Sequence, residues 1–134
     1  AFDISPKAIA WAKQVHDGKD IDFLVADMFA PPEDWLNGFD LVVEVYTIQA
    51  LPLALREKSI DAIASFVAAG GRLVAVQRLR DEAQTEPEGP PWALSRAELK
   101  RFEELGLELT EFETYFGDEE EPVERFVALF RKSG

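Results

Sequence analysis

"LELTEFETYFGDEEEPVERFVALF", Leu107 to Phe130, decides how the rest of the chain is read. Its two strand-like runs, "LELTEFETYF" and "VERFVALFRK", are separated by an acidic turn where a helix would otherwise stand, which predicts an antiparallel hairpin. "FVALF" is apolar at every position. That suits a strand inserted within a sheet, with its partner at the edge.

Upstream of this hairpin the pattern alternates. Ser95 and Glu98 form a capping box, and Leu99, Phe102 and Leu105 give the following helix an inner face that Gly106 ends. Before it, "RDEAQTEPEGPPWAL" (80–94) lacks periodicity and reads as a long surface loop. "RLVAVQRL" (72–79) and "FDLVVEVY" (39–46) read as strands buried on both faces. Between them Ile60, Ile63, Ala64 and Val67 predict a helix from Leu53 to about Ala69, closed by Gly70-Gly71. "APPEDWLNG" (30–38) is a loop with one helical turn, and "IDFLVADMF" (21–29) a strand in which Ile21, Phe23 and Val25 alternate.

At the start, Ser5 caps a helix whose first position is Pro6, with Ile4 placed to staple onto Ile9. Ala8, Trp11, Ala12 and Val15 form its predicted inner face, and the helix runs to about His16. "AFD" before it reads as the end of a strand. Strand, helix, strand, short helix, strand, helix, strand, helix, strand, strand predicts a three-layer α/β domain with right-handed crossovers. A single domain spans residues 1–134.

Composition narrows the function. Hydrophobic residues make up 47% and charged ones 30%, a soluble balance with no apolar run able to cross a bilayer. The net charge is -12 and Lys7, Lys13, Arg56, Arg72, Arg96 and Arg131 are scattered, so nucleic acid is not an expected partner. The acidic run Asp118 to Glu121 reads as a solvated loop. With no cysteine there are no disulfides or thiolate metal sites, and a reducing cytoplasm is the expected compartment. His16 ends a helix, where its cation complements the dipole.

A doubly wound sheet closed by an antiparallel C-terminal hairpin resembles the class I S-adenosylmethionine-dependent methyltransferases. "FDIS" (2–5) looks like the end of that family's second strand, where an acidic residue accepts from the ribose hydroxyls. "ADMF" (26–29) is similar to the segment after the third strand that meets the adenine. "FDLVVEVYTIQAL" (39–51) resembles the fourth strand and its turn, and "AAGGRLVAV" (68–76) the glycine turn into the fifth. The resemblance implies a Rossmann-like methyltransferase sheet, S-adenosylmethionine as cofactor, and a small-molecule acceptor.

The family's first strand and glycine-rich loop have no counterpart here, and no G-x-G occurs. In that family the first strand lies between the second and the fourth, so two backbone edges should be left unpaired inside the core. The expectation is an N-terminally truncated domain, a complementing chain or homodimer that fills the gap, or a sheet closed around it.

On this reading Asp3, Ile4, Asp27, Met28, Phe29 and Glu44 are the candidate cofactor residues, and Tyr46, Arg78, Arg80 and Trp92 line the acceptor side. No catalytic residue is assigned, because a bound sulfonium already carries an activated methyl and the protein mainly aligns it. Each residue has a plainer reading. Asp3 also suits the helix N-terminus; Met28, Phe29 and Tyr46 also suit packing; Glu44 also suits a structural pair with Arg78 or Arg80. Trp92 stands in a loop that either lids the acceptor or only covers the surface. Two other functions fit the same residues: an acidic interaction domain that has lost its cofactor, and a fragment of a nicotinamide-dependent dehydrogenase. The terminal hairpin argues against the second.

Overall fold

The computed structural model describes every residue from Ala1 to Gly134. The elements run β1 (Phe2–Asp3), α1 (Pro6–Val15), β2 (Leu24–Val25), β3 (Phe39–Val45), α2 (Arg56–Ser65), β4 (Val67–Arg78), α3 (Lys100–Glu104), β5 (Leu107–Phe116) and β6 (Glu124–Lys132). Short 3-10 turns at Glu33–Trp35, Ile48–Ala50, Leu53–Leu55 and Arg96–Leu99 join them. The α/β order expected from the sequence is present.

β3 and β4 are parallel, β6 is antiparallel to β4, and β5 is antiparallel to β6, giving the order β3-β4-β6-β5. The apolar strand β6 therefore lies inside the sheet and β5 at its edge, as the composition of "FVALF" requires. β1 and β2 form a separate parallel pair. No hydrogen-bonded ladder joins the pair to the larger sheet, so β3 keeps one unpaired edge and the sheet has not closed.

An aromatic cluster ties the two parts at the amino ends of the strands. Phe2 lies 4.9 Å from Trp35 and 5.9 Å from Phe66, and Trp35 meets Phe39 at 6.2 Å between ring centroids. At the carboxyl ends, Met28 packs on the main core and the ammonium of Lys58 in α2 sits 4.5 Å from the Phe29 ring.

The core lies between one sheet face and helices α2 and α3. Leu73, Ala75, Phe126, Ala128 and Phe130 point into it and meet Ile60, Ile63, Leu99 and Phe102. Each fully buried phenylalanine contributes about 1.5–3 kcal/mol. The opposite face stays open: Leu41, Val43 and Val45 of β3 are 58%, 59% and 49% exposed. β3 is thus buried on one face only, where its sequence suggested two.

Three local expectations are corrected. α2 ends at Ser65, and Gly70-Gly71 lie inside β4, where the register slips from Phe39↔Val67 to Leu41↔Arg72. A glycine pair suits this bulge as well as a helix end: Gly70 has φ of +75°, and a side chain at Gly71 would come within 2.8 Å of the Ala68 carbonyl. The strand in "IDFLVADMF" shrinks to Leu24–Val25, because only β1, itself two residues long, is there to pair with it. In α1, Ile9 is the buried residue while Trp11 and Val15 are exposed, since nothing in this chain packs against their face.

Candidate functional site

Asp3 and Asp27 adopt the same local arrangement at the carboxyl ends of adjacent parallel strands. Asp3 Oδ1 accepts from the Ser5 N–H at 2.8 Å, and Asp27 Oδ1 accepts from the Phe29 N–H at 2.9 Å. Such a turn follows from a short carboxylate two residues before a free amide, and it fixes the side chain. In each case Oδ2 has no partner in the protein. The Met28 N–H, inside the turn from Asp27 to Phe29, donates to no protein acceptor either. Asp3 is exposed and Asp27 half-buried.

These groups can receive a ligand that carries both hydrogen-bond donors and acceptors. Two fixed carboxylate oxygens suit hydroxyl and amine donors, and a free amide suits a ring nitrogen. Met28 and Phe29 supply half-buried apolar surface beside them, and Ile4, 67% exposed, adds more next to Asp3.

Glu44 occupies the neighbouring strand end, 5% exposed. Its partner is Gln77, not Arg78 or Arg80: the Gln77 amide donates to both carboxylate oxygens. The N–H groups of Thr47 and Ile48 donate to Glu44 Oε1 at 2.7 and 3.1 Å. Burial pushes the Glu44 carboxyl up from its ordinary value, and these donors hold it back. The chain continues: Gln77 Oε1 accepts from the Gln49 N–H at 3.2 Å, and Gln49 Oε1 accepts from the Arg78 N–H at 2.6 Å. Gln49 and Gln77 were not singled out by sequence; their separation of 28 residues hides the pairing.

This chain locks the turn after β3 onto β4. Tyr46 enters that turn with φ of +60°, a left-handed conformation unusual for a tyrosine, while its N–H donates to the Val76 carbonyl at 2.9 Å. Its ring lies 6.0 Å from the Arg125 guanidinium. Tyr115 stands beside it, its phenol pushed up first by burial and then by the Tyr46 hydroxyl.

The long loop is pinned at both ends. Arg80 pairs with Glu98 at 2.6 Å, and Arg56 reaches the same carboxylate at 2.9 Å and the Trp92 carbonyl at 2.6 Å. Glu98 also accepts from the Ser95 N–H at 2.9 Å, completing the expected capping box. The Trp92 N–H donates to the Gln49 carbonyl at 2.7 Å, and the indole packs on Gly89. Trp92 and Tyr46 are thereby tied to one turn, whereas Arg80 is drawn away into the ion pair.

Surface hollows elsewhere, one lined by Glu82, Arg96 and Lys100 and one by Glu108, Arg131 and Lys132, touch none of these groups. No three acidic or histidine side chains are placed to hold a metal ion, and no helix is long and apolar enough to cross a membrane.

Parallel strands closed by an antiparallel terminal hairpin are the sheet arrangement of the Rossmann-like methyltransferases. The chain belongs to the thiopurine S-methyltransferase family, whose model matches residues 2–132. That family's chemistry is methyl transfer. Among solved structures it resembles the N-methyltransferase NodS from Bradyrhizobium japonicum WM9, at 22% identity and a TM-score of 0.75, covering 99% of this chain and 72% of that one. NodS in complex with S-adenosyl-L-homocysteine matches at 23% identity and a TM-score of 0.74, covering 99% and 65%. A methyltransferase described as putative from Bacillus halodurans C-125 matches at 15% and 0.79, covering 100% and 82%. At these identities the likeness is one of fold. A search of curated proteins found no sequence match.

Proposed function

We propose that this chain binds the nucleoside of S-adenosylmethionine on Asp3, Ile4, Asp27, Met28 and Phe29, and presents the methyl to a small molecule held over Tyr46, Arg78 and Trp92. The single observation behind this reading is the pair of matching aspartates, each fixed by one oxygen and free at the other. Glu44 acts through the turn that it fixes, placing Tyr46 beside the methyl. Arg80 holds the loop through Glu98.

The methionine end of the cofactor would extend past β1 toward the unpaired edge of β3. In our reading full activity needs a segment on that edge to hold it, whatever supplies that segment. The exposed row Leu41, Val43 and Val45 beside that edge supports the same view, since open strand edges with apolar neighbours pair readily. An acidic interaction domain without cofactor is the competing function, and the same edge favours it. Titration with S-adenosylhomocysteine separates the two: saturable binding supports methyl transfer, and its absence at millimolar ligand supports the interaction domain.

A further inference from the structure

The open sheet face is ordered in rungs. Val45, Val76 and Val127 lie side by side across β3, β4 and β6, and Val43, Val74 and Leu129 form the rung below. Above them, at the carboxyl end of the parallel strands, Arg78 stands directly opposite Arg125, and Arg125 opposite Tyr115. Tyr46 closes the other side, just past the end of β3.

Like charges directly across a ladder destabilise it. The opposite end of the face has a similar pair, Arg72 and Arg131, but both are exposed to water and Glu108 stands opposite Arg131. At the upper end Arg78 and Arg125 are half-buried, and the position matching Glu108 is the neutral Tyr115. Arg125 has its own acid, Glu119 from the hairpin turn, though its Nε is buried without an acceptor. Arg78 makes no ion pair and no side-chain hydrogen bond. In a chain of net charge -12, an unpaired, half-buried arginine directly across the ladder from another is conspicuous.

We propose that Arg78 is a substrate-binding residue, and that the acceptor is a small molecule with an apolar body and one carboxylate. The planar Arg78 guanidinium matches a carboxylate; across the ladder from it Arg125 stands opposite Tyr115 and 6.0 Å from the Tyr46 ring, and the valine rungs take the body. Glu119, beside Arg125, disfavours the greater charge of a phosphate. The acceptor's role rests on the methyl-transfer reading above, whereas the carboxylate site is tested separately.

The test is titration of the full chain with benzoate, benzamide and phenyl phosphate, followed by tyrosine side-chain chemical shifts, with S-adenosylhomocysteine titrated in parallel. Benzoate is expected to bind with a Kd on the order of 1 mM and to shift Tyr46 and Tyr115, while neutral benzamide does not. Arg78→Gln should weaken benzoate about tenfold or more, and Arg78→Lys less, with S-adenosylhomocysteine affinity unchanged. Removing one of two opposed charges should leave Tm unchanged or raised. Equal binding of benzoate and benzamide, tighter binding of phenyl phosphate, unaltered benzoate affinity in Arg78→Gln, or a marked fall in its Tm would each overturn the assignment. A protein that binds S-adenosylhomocysteine but not benzoate refutes this site and leaves methyl transfer standing; benzoate bound through Arg78 without S-adenosylhomocysteine does the reverse.

Discussion

Glu44 of β3 and Gln77 of β4 meet side chain to side chain in the core, at 5% and 0% exposure, and the amide donates to both carboxylate oxygens. The turn after β3 is anchored to the core by this contact, because the same carboxylate accepts from the Thr47 and Ile48 N–H groups. Gln77→Ala leaves a buried carboxylate short of donors and is expected to cost about 2–4 kcal/mol in urea unfolding.

The same carboxyl makes stability depend on pH. Burial raises the folded pKa of Glu44 above the ordinary 4.5, so between the two values the folded chain holds a proton that the unfolded chain has released. Its contribution is therefore full below 4.5 and declines as pH rises toward the folded value. Glu44→Gln should flatten that decline, as measured by unfolding free energy across mildly acidic to neutral pH. An unchanged slope would mean that Glu44 does not carry it.

Glu98 neutralises two arginines whose side chains are only 8% and 10% exposed. Glu98→Ala strands both and removes half of the capping box, with an expected cost of about 3–5 kcal/mol. Amide exchange at Trp92 and Leu94 should speed up before that of the β4 strand, because Arg56 and Arg80 tie the loop down.

Gly71 tests the bulge in β4. An alanine there would meet the Ala68 and Phe39 carbonyls at 2.8 and 3.1 Å, so Gly71→Ala is expected to destabilise by about 1–3 kcal/mol. Val43→Lys, on the open face, should change stability by less than about 0.5 kcal/mol. Thermal or urea unfolding of both variants checks the contrast.

What the sequence disclosed follows the range of each interaction. Ser5-Pro6 and the Ser95/Glu98 box act within one turn, and both stand where they were expected. The hairpin from Leu107 to Lys132 was legible because its alternation and acidic turn are local, and the run "FVALF" announced an inner strand. Gly70-Gly71 misled because the same residues end helices and permit bulges, and only the register with β3 tells which. The partner of Glu44 was hidden for another reason: Gln77 stands between Val76 and Arg78, 33 residues from Glu44, and nothing local marks it as that carboxylate's donor. Arg125 and Tyr115 came into view only once three strands were in register. The uncovered faces of α1 and β3 were also invisible, since an apolar pattern states what wants burial, not whether something covers it.

The account stands on the two aspartates, and Asp3 tests it most directly. Asparagine at this position keeps the turn to Ser5 but loses the charged acceptor, so local structure and ligand contact are separated. In a titration of wild type, Asp3→Asn and Asp3→Ala with S-adenosylhomocysteine, the wild type should saturate with a shift at the Met28 amide, and both variants should bind about tenfold or more weakly. Equal affinity in all three proteins, or no saturable binding by any, would contradict it.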